Sequence, residues 1–204
     1  GTYIKIGNDL NIERKQDKEE NMDFLDKRVG VICNELKKLK VKQVFPLTQW
    51  EYKEGNFIHP EDALKDEAAW ENFDCKTMHW YGKDRHYWFR TTYTIPEELD
   101  GKSVWIRVSS QIDEWDDGRN PQFIVFVNGE VYQGIDMNHR ECLITRSGKA
   151  GETLTIDLQA YTGIMHEEFA LRTQIEEIDA EIEKLYYDLW VPLAAFSRME
   201  ADDK

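Results

Sequence analysis

The stretch QFIVFVNGEVY, residues 122–132, decides the fold. Gln122 to Val127 is a short apolar run, Asn128-Gly129 follows, and Glu130 to Tyr132 resumes the extended pattern. Asn-Gly between two such runs predicts a β-hairpin, because both turn positions need positive φ and these two residues tolerate it. Working outward, Lys102 to Ser110 alternates: Val104, Ile106 and Val108 face one side, and Ser103, Trp105 and Arg107 the other. His86 to Ile95 (HYWFRTTYTI) is aromatic and β-branched, and Pro96 stops it. Downstream, Gly151-Glu152 leads into Thr153 to Leu158, where Leu154, Ile156 and Leu158 alternate with polar residues. Short strands with turn signals about every ten residues predict an antiparallel sandwich. Pro60 to Phe73 interrupts the pattern as a short peripheral helix.

Both flanks read as helices. From about residue 11 to residue 40, Met22, Leu25, Val29, Ile32, Leu36 and Leu39 step by three and four, one apolar stripe on a helix. Gly30 is a weak point within it. Lys37, Lys38 and Lys40 sit in its last turn, where cations suit the helix dipole. From His166 to Leu189, Leu171, Ile175, Ile178, Ile182, Leu185 and Leu189 step in the same way. From residue 166 onward 11 acidic residues face 4 basic ones, whereas residues 1–45 carry 10 basic against 8 acidic. This mild complementarity predicts that the two helices lie near each other or cover the same sheet. A dimerising coiled coil is the alternative, against which each stripe spans under three heptads. The expected organisation is a helical segment over 1–40, a β-sandwich over 41–163, and a C-terminal helix and connector over 164–204.

With 204 residues, the chain suits one domain with helical appendages. A net charge of −14 repels phosphate backbones and anionic lipid, which argues against nucleic-acid and membrane partners. The longest apolar runs, Phe123 to Val127 and Val191 to Phe196, are far shorter than a bilayer span. The N-terminus lacks the order of a secretory signal. Three cysteines, an odd count without Cys-x-x-Cys, argue against a disulfide framework and for a cytoplasmic location.

Site motifs mostly fail. His166-Glu-Glu-Phe-Ala170 misses His-Glu-x-x-His at its last position. His139-Arg-Glu141 is followed by no Pro-Cys-x-x-Cys. Asp113 to Gly118 has the look of a calcium loop, but Ile124 stands at the twelfth position in place of Glu. A calcium ion held by Asp113, Asp116 and Asp117 competes there with a plain solvated acidic loop. No glycine-rich phosphate loop and no Gly-x-Ser-x-Gly elbow occur.

Two constellations remain. Trp80, Tyr81, Asp84, His86 and Trp88 offer aromatic faces for the C–H side of a sugar ring and a carboxylate for its hydroxyls. The competing reading is that these aromatics fill the sandwich core. Gly134, Asp136, Asn138 and His139 follow the hairpin, and Asp136 could pair with His139 to shape a loop at the sandwich edge. The competing reading is a turn in which Asp136 bonds its own backbone. The candidate carbohydrate-binding set is therefore Trp80, Asp84, His86, Trp88, Asp136 and His139; no catalytic or metal-ligating residue is singled out.

The middle of the chain resembles the N-terminal domain of glycoside hydrolase family 38, the alpha-mannosidases. The matching pieces are YGKD at 81–84, YWFR at 87–90, Ile95-Pro96, Gly101-Lys102, FVNG at 126–129, GIDMNH at 134–139, Ala150-Gly-Glu152, LQAYTG at 158–163 and LYYDL at 185–189. They cover roughly residues 77–195. The WFR…IP…GK pattern is also similar to the sugar-binding jelly roll of beta-galactosidases and beta-glucuronidases; the 134–139 loop and the LYYD connector favour the mannosidases. The resemblance implies a galactose-binding-like jelly-roll β-sandwich with flanking amphipathic helices. It implies a parent enzyme that is a zinc-dependent retaining glycosidase, its metal held by His and Asp residues that include a His-x-Asp motif. None of the five histidines here is followed two residues later by Asp. Retaining hydrolysis needs two carboxylates about 5 Å apart, and no sequence feature marks such a pair here. The resemblance thus places zinc, nucleophile and acid beyond Lys204, with no cofactor expected in this chain. Three readings follow: a non-catalytic accessory module of an alpha-mannosidase, packing on the catalytic domain of the same polypeptide and shaping substrate access or a homo-oligomer; an autonomous carbohydrate-binding module for mannose-containing oligosaccharides; and a complete small enzyme, which the motifs support least.

Overall fold

The computed structural model describes residues 22–110, 120–136 and 139–202. The candidate calcium residues Asp113, Asp116 and Asp117, and Asn138, lie outside them. The chain divides into two units, residues 42–178 and residues 1–41 with 179–204.

The larger unit is a β-sandwich. One sheet has the order β1 (Val41–Pro46), β12 (Arg172–Ile178), β6 (Val104–Ser109), β9 (Glu141–Thr145). The other has six strands, β3 (Glu71–Asp74), β2 (Gln49–Glu54), β5 (His86–Thr94), β10 (Thr153–Tyr161), β7 (Gln122–Val127) and β8 (Glu130–Ile135). A short ribbon pairs β4 (Trp80–Gly82) with β11 (Glu167–Phe169). The ladders between neighbours are antiparallel, as between β10 and both β5 and β7. Sequentially distant strands lie side by side, with β12 beside β6 and β10 between β5 and β7, as in a jelly-roll sandwich.

Alternation places the core. Leu154, Ile156, Leu158 and Ala160 of β10, Phe123, Val125 and Val127 of β7, and Tyr87 and Phe89 of β5 share one buried cluster with Val104, Ile106 and Val108 of β6 and Ile175 of β12. Each Val, Leu, Ile or Phe side chain among them contributes about 1.5–3 kcal/mol by leaving water. The hairpin forms as its sequence predicts: Asn128 has φ +51°, Gly129 has φ +84°, and Val127 pairs with Glu130. Asn128 is also tied to the next strand, its Oδ1 accepting from the Thr155 amide at 3.0 Å.

The six-stranded sheet carries a second, smaller cluster on its outer face. Helix α2 (Pro60–Lys65) and the segment around it bring Ala63, Phe57 and Trp70 onto Trp88 and Phe126. Lys53, buried, pins this cover. Its ammonium donates to the Asp66 carboxylate at 3.2 Å and lies 5.4 Å and 5.0 Å from the ring centroids of Phe57 and Trp70.

The smaller unit contains helix α1, described over 22–39, and α3 (Ala180–Asp202). The Asp179 amide donates to the Lys40 carbonyl at 2.7 Å, and the Lys40 ammonium sits 5.4 Å from the Tyr186 ring centroid. The predicted proximity of the two helices is therefore observed where one ends and the other begins. Cys33 is buried and Val29 and Leu36 half-buried, but Met22, Leu25, Ile32 and Leu39 of the same stripe are exposed.

Two expectations fail: the helix expected over 60–73 ends at Lys65, with Glu71–Asp74 forming strand β3 against β2, and the C-terminal helix begins later than its apolar steps suggest. Residues 167–169 and 172–178 are strands, not the start of the C-terminal helix. Leu171, Ile175 and Ile178 are buried at 0%, 0% and 2% exposure, so their apolar character is core-related. The four-residue step from Leu171 to Ile175 fits two strand periods as well as one helical turn. β12 also buries Ile175 and Glu176 on successive positions, which erases the alternation that identifies a strand. The helix starts at Ala180, where the Asp179 carboxylate accepts from the amides of Glu181 and Ile182, each at 3.0 Å.

Candidate functional site

Strands β5, β10 and β7 turn one set of residues inward and the alternate set outward. The register puts His86 opposite Tyr161 and Tyr161 opposite Gln122; in the next row Gln159 faces Ile124, which faces Gly134. α2 and its flanks cover the outer face at Trp88 and Phe126. Beyond that cover these two rows line a cavity of about 510 Å³, completed by Asp136 after β8.

Its wall is a stacked pair. The His86 and Tyr161 rings lie 5.0 Å apart at 29°. The Tyr161 hydroxyl donates to Asp84 Oδ1 at 2.5 Å, and that carboxylate pushes the phenol above the usual tyrosine range. Asp84 holds this position from a left-handed turn, φ +50°, with its amide donating to the Gly163 carbonyl at 2.9 Å. Asp136 Oδ1 accepts from the His139 amide at 2.8 Å and lies 3.3 Å from His139 Nδ1. Gly134 leaves the floor open: a Cβ there would meet only the Phe123 carbonyl oxygen, at 3.9 Å. Two carboxamides, Gln122 and Gln159, supply neutral hydrogen-bonding groups; Gln159 spends its NH₂ on the Phe57 carbonyl at 2.6 Å.

Four residues of the sequence-derived set meet here. His86 and Asp136 line the cavity, Asp84 acts through Tyr161, and His139 acts through Asp136. The other two do not. Trp80 is 1% exposed, its indole N–H donates to the Ala170 carbonyl at 3.2 Å, and Tyr87 and Phe89 meet it edge-on at 5.5 Å. Trp88 is fully buried against Phe126 beneath α2. Neither presents a face to a ligand, because one points into the main core and the other lies under the cover. Tyr161, Gln122, Gln159 and Ile124 are additions from the structure. Their outward phase is legible from alternation within each strand, but their adjacency depends on cross-strand register.

Among the described residues the lining of the cleft holds no Lys or Arg, and it has aromatic faces, carboxamides and a carboxylate acceptor. Among the described residues, no group of three or more His, Cys, Asp or Glu is placed to hold a metal ion. Burial pushes the Cys75 and Cys142 thiols up to about 11, which keeps them protonated and poorly nucleophilic. Burial also raises Asp157 to about 6, against the pull of Arg90 at 3.1 Å, but its side chain is 1% exposed. Among the described residues, no helix is long and apolar enough to cross a membrane.

No protein-family model and no curated protein matches the chain. Among solved structures, it is similar to the beta-glucuronidase from Ruminococcus gnavus. In that enzyme's complex with D-glucuronic acid, identity is 12% and the TM-score 0.44, over 67% of this chain and 30% of the glucuronidase. The complex with uronic deoxynojirimycin gives 12% and 0.44, over 69% and 30%. The apo structure at 1.7 Å gives 13% and 0.42, over 67% and 29%. The chain thus spans about 30% of that enzyme's length.

Proposed function

We propose that this chain is a carbohydrate-binding module of a larger glycoside hydrolase, and that a neutral sugar docks in the cleft beside His86 and Tyr161. The observation that carries this reading is the cleft's chemistry. A stacked aromatic pair, two carboxamides and the Asp136 carboxylate converge on a cavity of about 510 Å³ with no cation in its lining. Sugars are held by apolar contact to one ring face and by hydrogen bonds to their hydroxyls, and this cleft supplies both. The resemblance at 77–195 supports mannosides as the ligand class and an alpha-mannosidase as the parent, whose zinc and catalytic carboxylates would lie in a domain outside this chain. Calorimetric titration with mannose and mannobiose tests the reading. Heat of binding at millimolar sugar, lost in Tyr161→Ala, is expected; no heat from a folded sample would refute it.

A second reading has its own observation. Tyr187 and Val191 of α3, four residues apart on one side of the helix, are exposed at 40% and 53%. An apolar helix face of this kind suits a module that packs on its own catalytic domain. Co-expression of the parent's catalytic domain as a separate chain tests it: a complex lost on Val191→Glu supports packing, and no complex counts against it.

A further inference from the structure

The other sheet carries a hollow of opposite character. On the outward face of β6 and β12, Arg172 stands opposite Ser109 and Gln174 opposite Arg107. Lys76, from the turn after β3, and Thr48 overhang this two-by-two block, and the resulting cavity measures about 510 Å³. Every side chain of the block can donate a hydrogen bond, and two of the four are guanidinium groups. Only Arg107 has an ion-pair partner, Glu141 at 3.1 Å; among the described residues Arg172 and Lys76 have none. The nearest acid of the overhanging turn, Asp74, already accepts from the Lys76 amide at 2.9 Å. Cys75 stays a neutral thiol. In a chain with net charge −14, two unpaired cations beside a third and a set of hydroxyl and carboxamide donors form a local exception.

We infer that this hollow is a second ligand site, for a sugar-sized anion: a hexuronate or a hexose phosphate. Its carboxylate or phosphate would sit between the Arg107 and Arg172 guanidiniums, with Lys76 adding charge from above. The planar fork of Arg suits either oxyanion. Ser109, Thr48 and Gln174 are left for the sugar hydroxyls. The cleft beside Tyr161, with Asp136 in its wall and no cation, selects against the same ligands. The two sites therefore sort sugars by charge on opposite sheets.

The test is an amide-shift NMR titration of the intact chain at low ionic strength with galacturonate, glucose 6-phosphate, inorganic phosphate and neutral glucose. The expected result is millimolar binding of either sugar anion, with shifts at Arg107, Ser109, Arg172 and Gln174 and none from glucose. Arg172 is exposed, so Arg172→Ala should leave the fold intact and weaken the anion at least tenfold. Arg172→Lys should restore part of the loss, and mannobiose shifts at Gly134 and Tyr161 should be unchanged in both variants. The inference is overturned if neither sugar anion shifts these amides, if inorganic phosphate alone does, or if Arg172→Ala binds the anions as tightly as the parent sequence.

Discussion

The two halves of the six-stranded sheet's outer face are built from the same three strands and differ in what lies on top. In one half Trp88 and Phe126 are buried beneath Ala63, Phe57 and Trp70, and Lys53 locks the cover to Asp66. In the other half, two residues back along β5, His86 stacks on Tyr161 at the rim of an open cleft. Both halves present aromatic side chains outward. An outward aromatic is thus not a binding platform in itself; the 55–70 segment decides which aromatics stay accessible.

That contrast can be broken by substitution. The largest effect is expected from Trp88→Ala, which should cost about 3–5 kcal/mol in urea unfolding. The indole N–H of Trp88 is buried without a hydrogen-bond partner, so its removal recovers part of that cost and favours the lower end of the range. A cost below about 1 kcal/mol would mean that the cover contributes no packing.

Next in size is a pH effect from the boundary between the halves. Asp157 sits opposite Arg90 and Phe126 on the outward face, and burial raises its carboxyl from the ordinary 3.8 to about 6. Between those values the folded state binds more protons than the unfolded state, so this group makes stability fall as pH rises from about 4 to about 6. Two units correspond to roughly 3 kcal/mol. Asp157→Asn should remove that slope, so the difference in unfolding free energy between the two proteins should change across this window and be constant above pH 7. A difference that is flat throughout would refute the assignment.

The open half should respond in binding rather than in stability. Gly134→Val projects into the cleft with no clash at Cβ, so unfolding should shift by less than about 1 kcal/mol while mannobiose affinity falls at least tenfold. Unchanged affinity would move the sugar site elsewhere. The smallest effect is spectroscopic: Asp84→Asn should return the Tyr161 phenol toward the ordinary tyrosine range, read by NMR titration of its ring carbons.

The sandwich was readable because β5, β6, β7 and β10 alternate and the 128–129 turn has residues suited to positive φ. β12 was not, since burial of both Ile175 and Glu176 breaks its period and its Leu171–Ile175 step mimics a helix. The site was half readable. His86, Asp84, Asp136 and His139 carry polar chemistry in loops or at strand ends, where pairing and burial leave them accessible. Trp80 and Trp88 were misplaced because sequence phase separates inward from outward but does not say what covers the outward face. Tyr161 and Gln122 needed the β10–β5 and β10–β7 registers, which arise from contacts far apart in the chain.

The central claim, that the uncovered half of this sheet takes a neutral sugar, is met most directly by an amide-shift titration with mannobiose. The account predicts saturable shifts, at millimolar sugar, confined to Gln122, Gly134, Asp136 and Tyr161, and none at Trp88 or Lys53. Absence of shifts from a folded sample, or shifts centred on the Trp88 half, would contradict it.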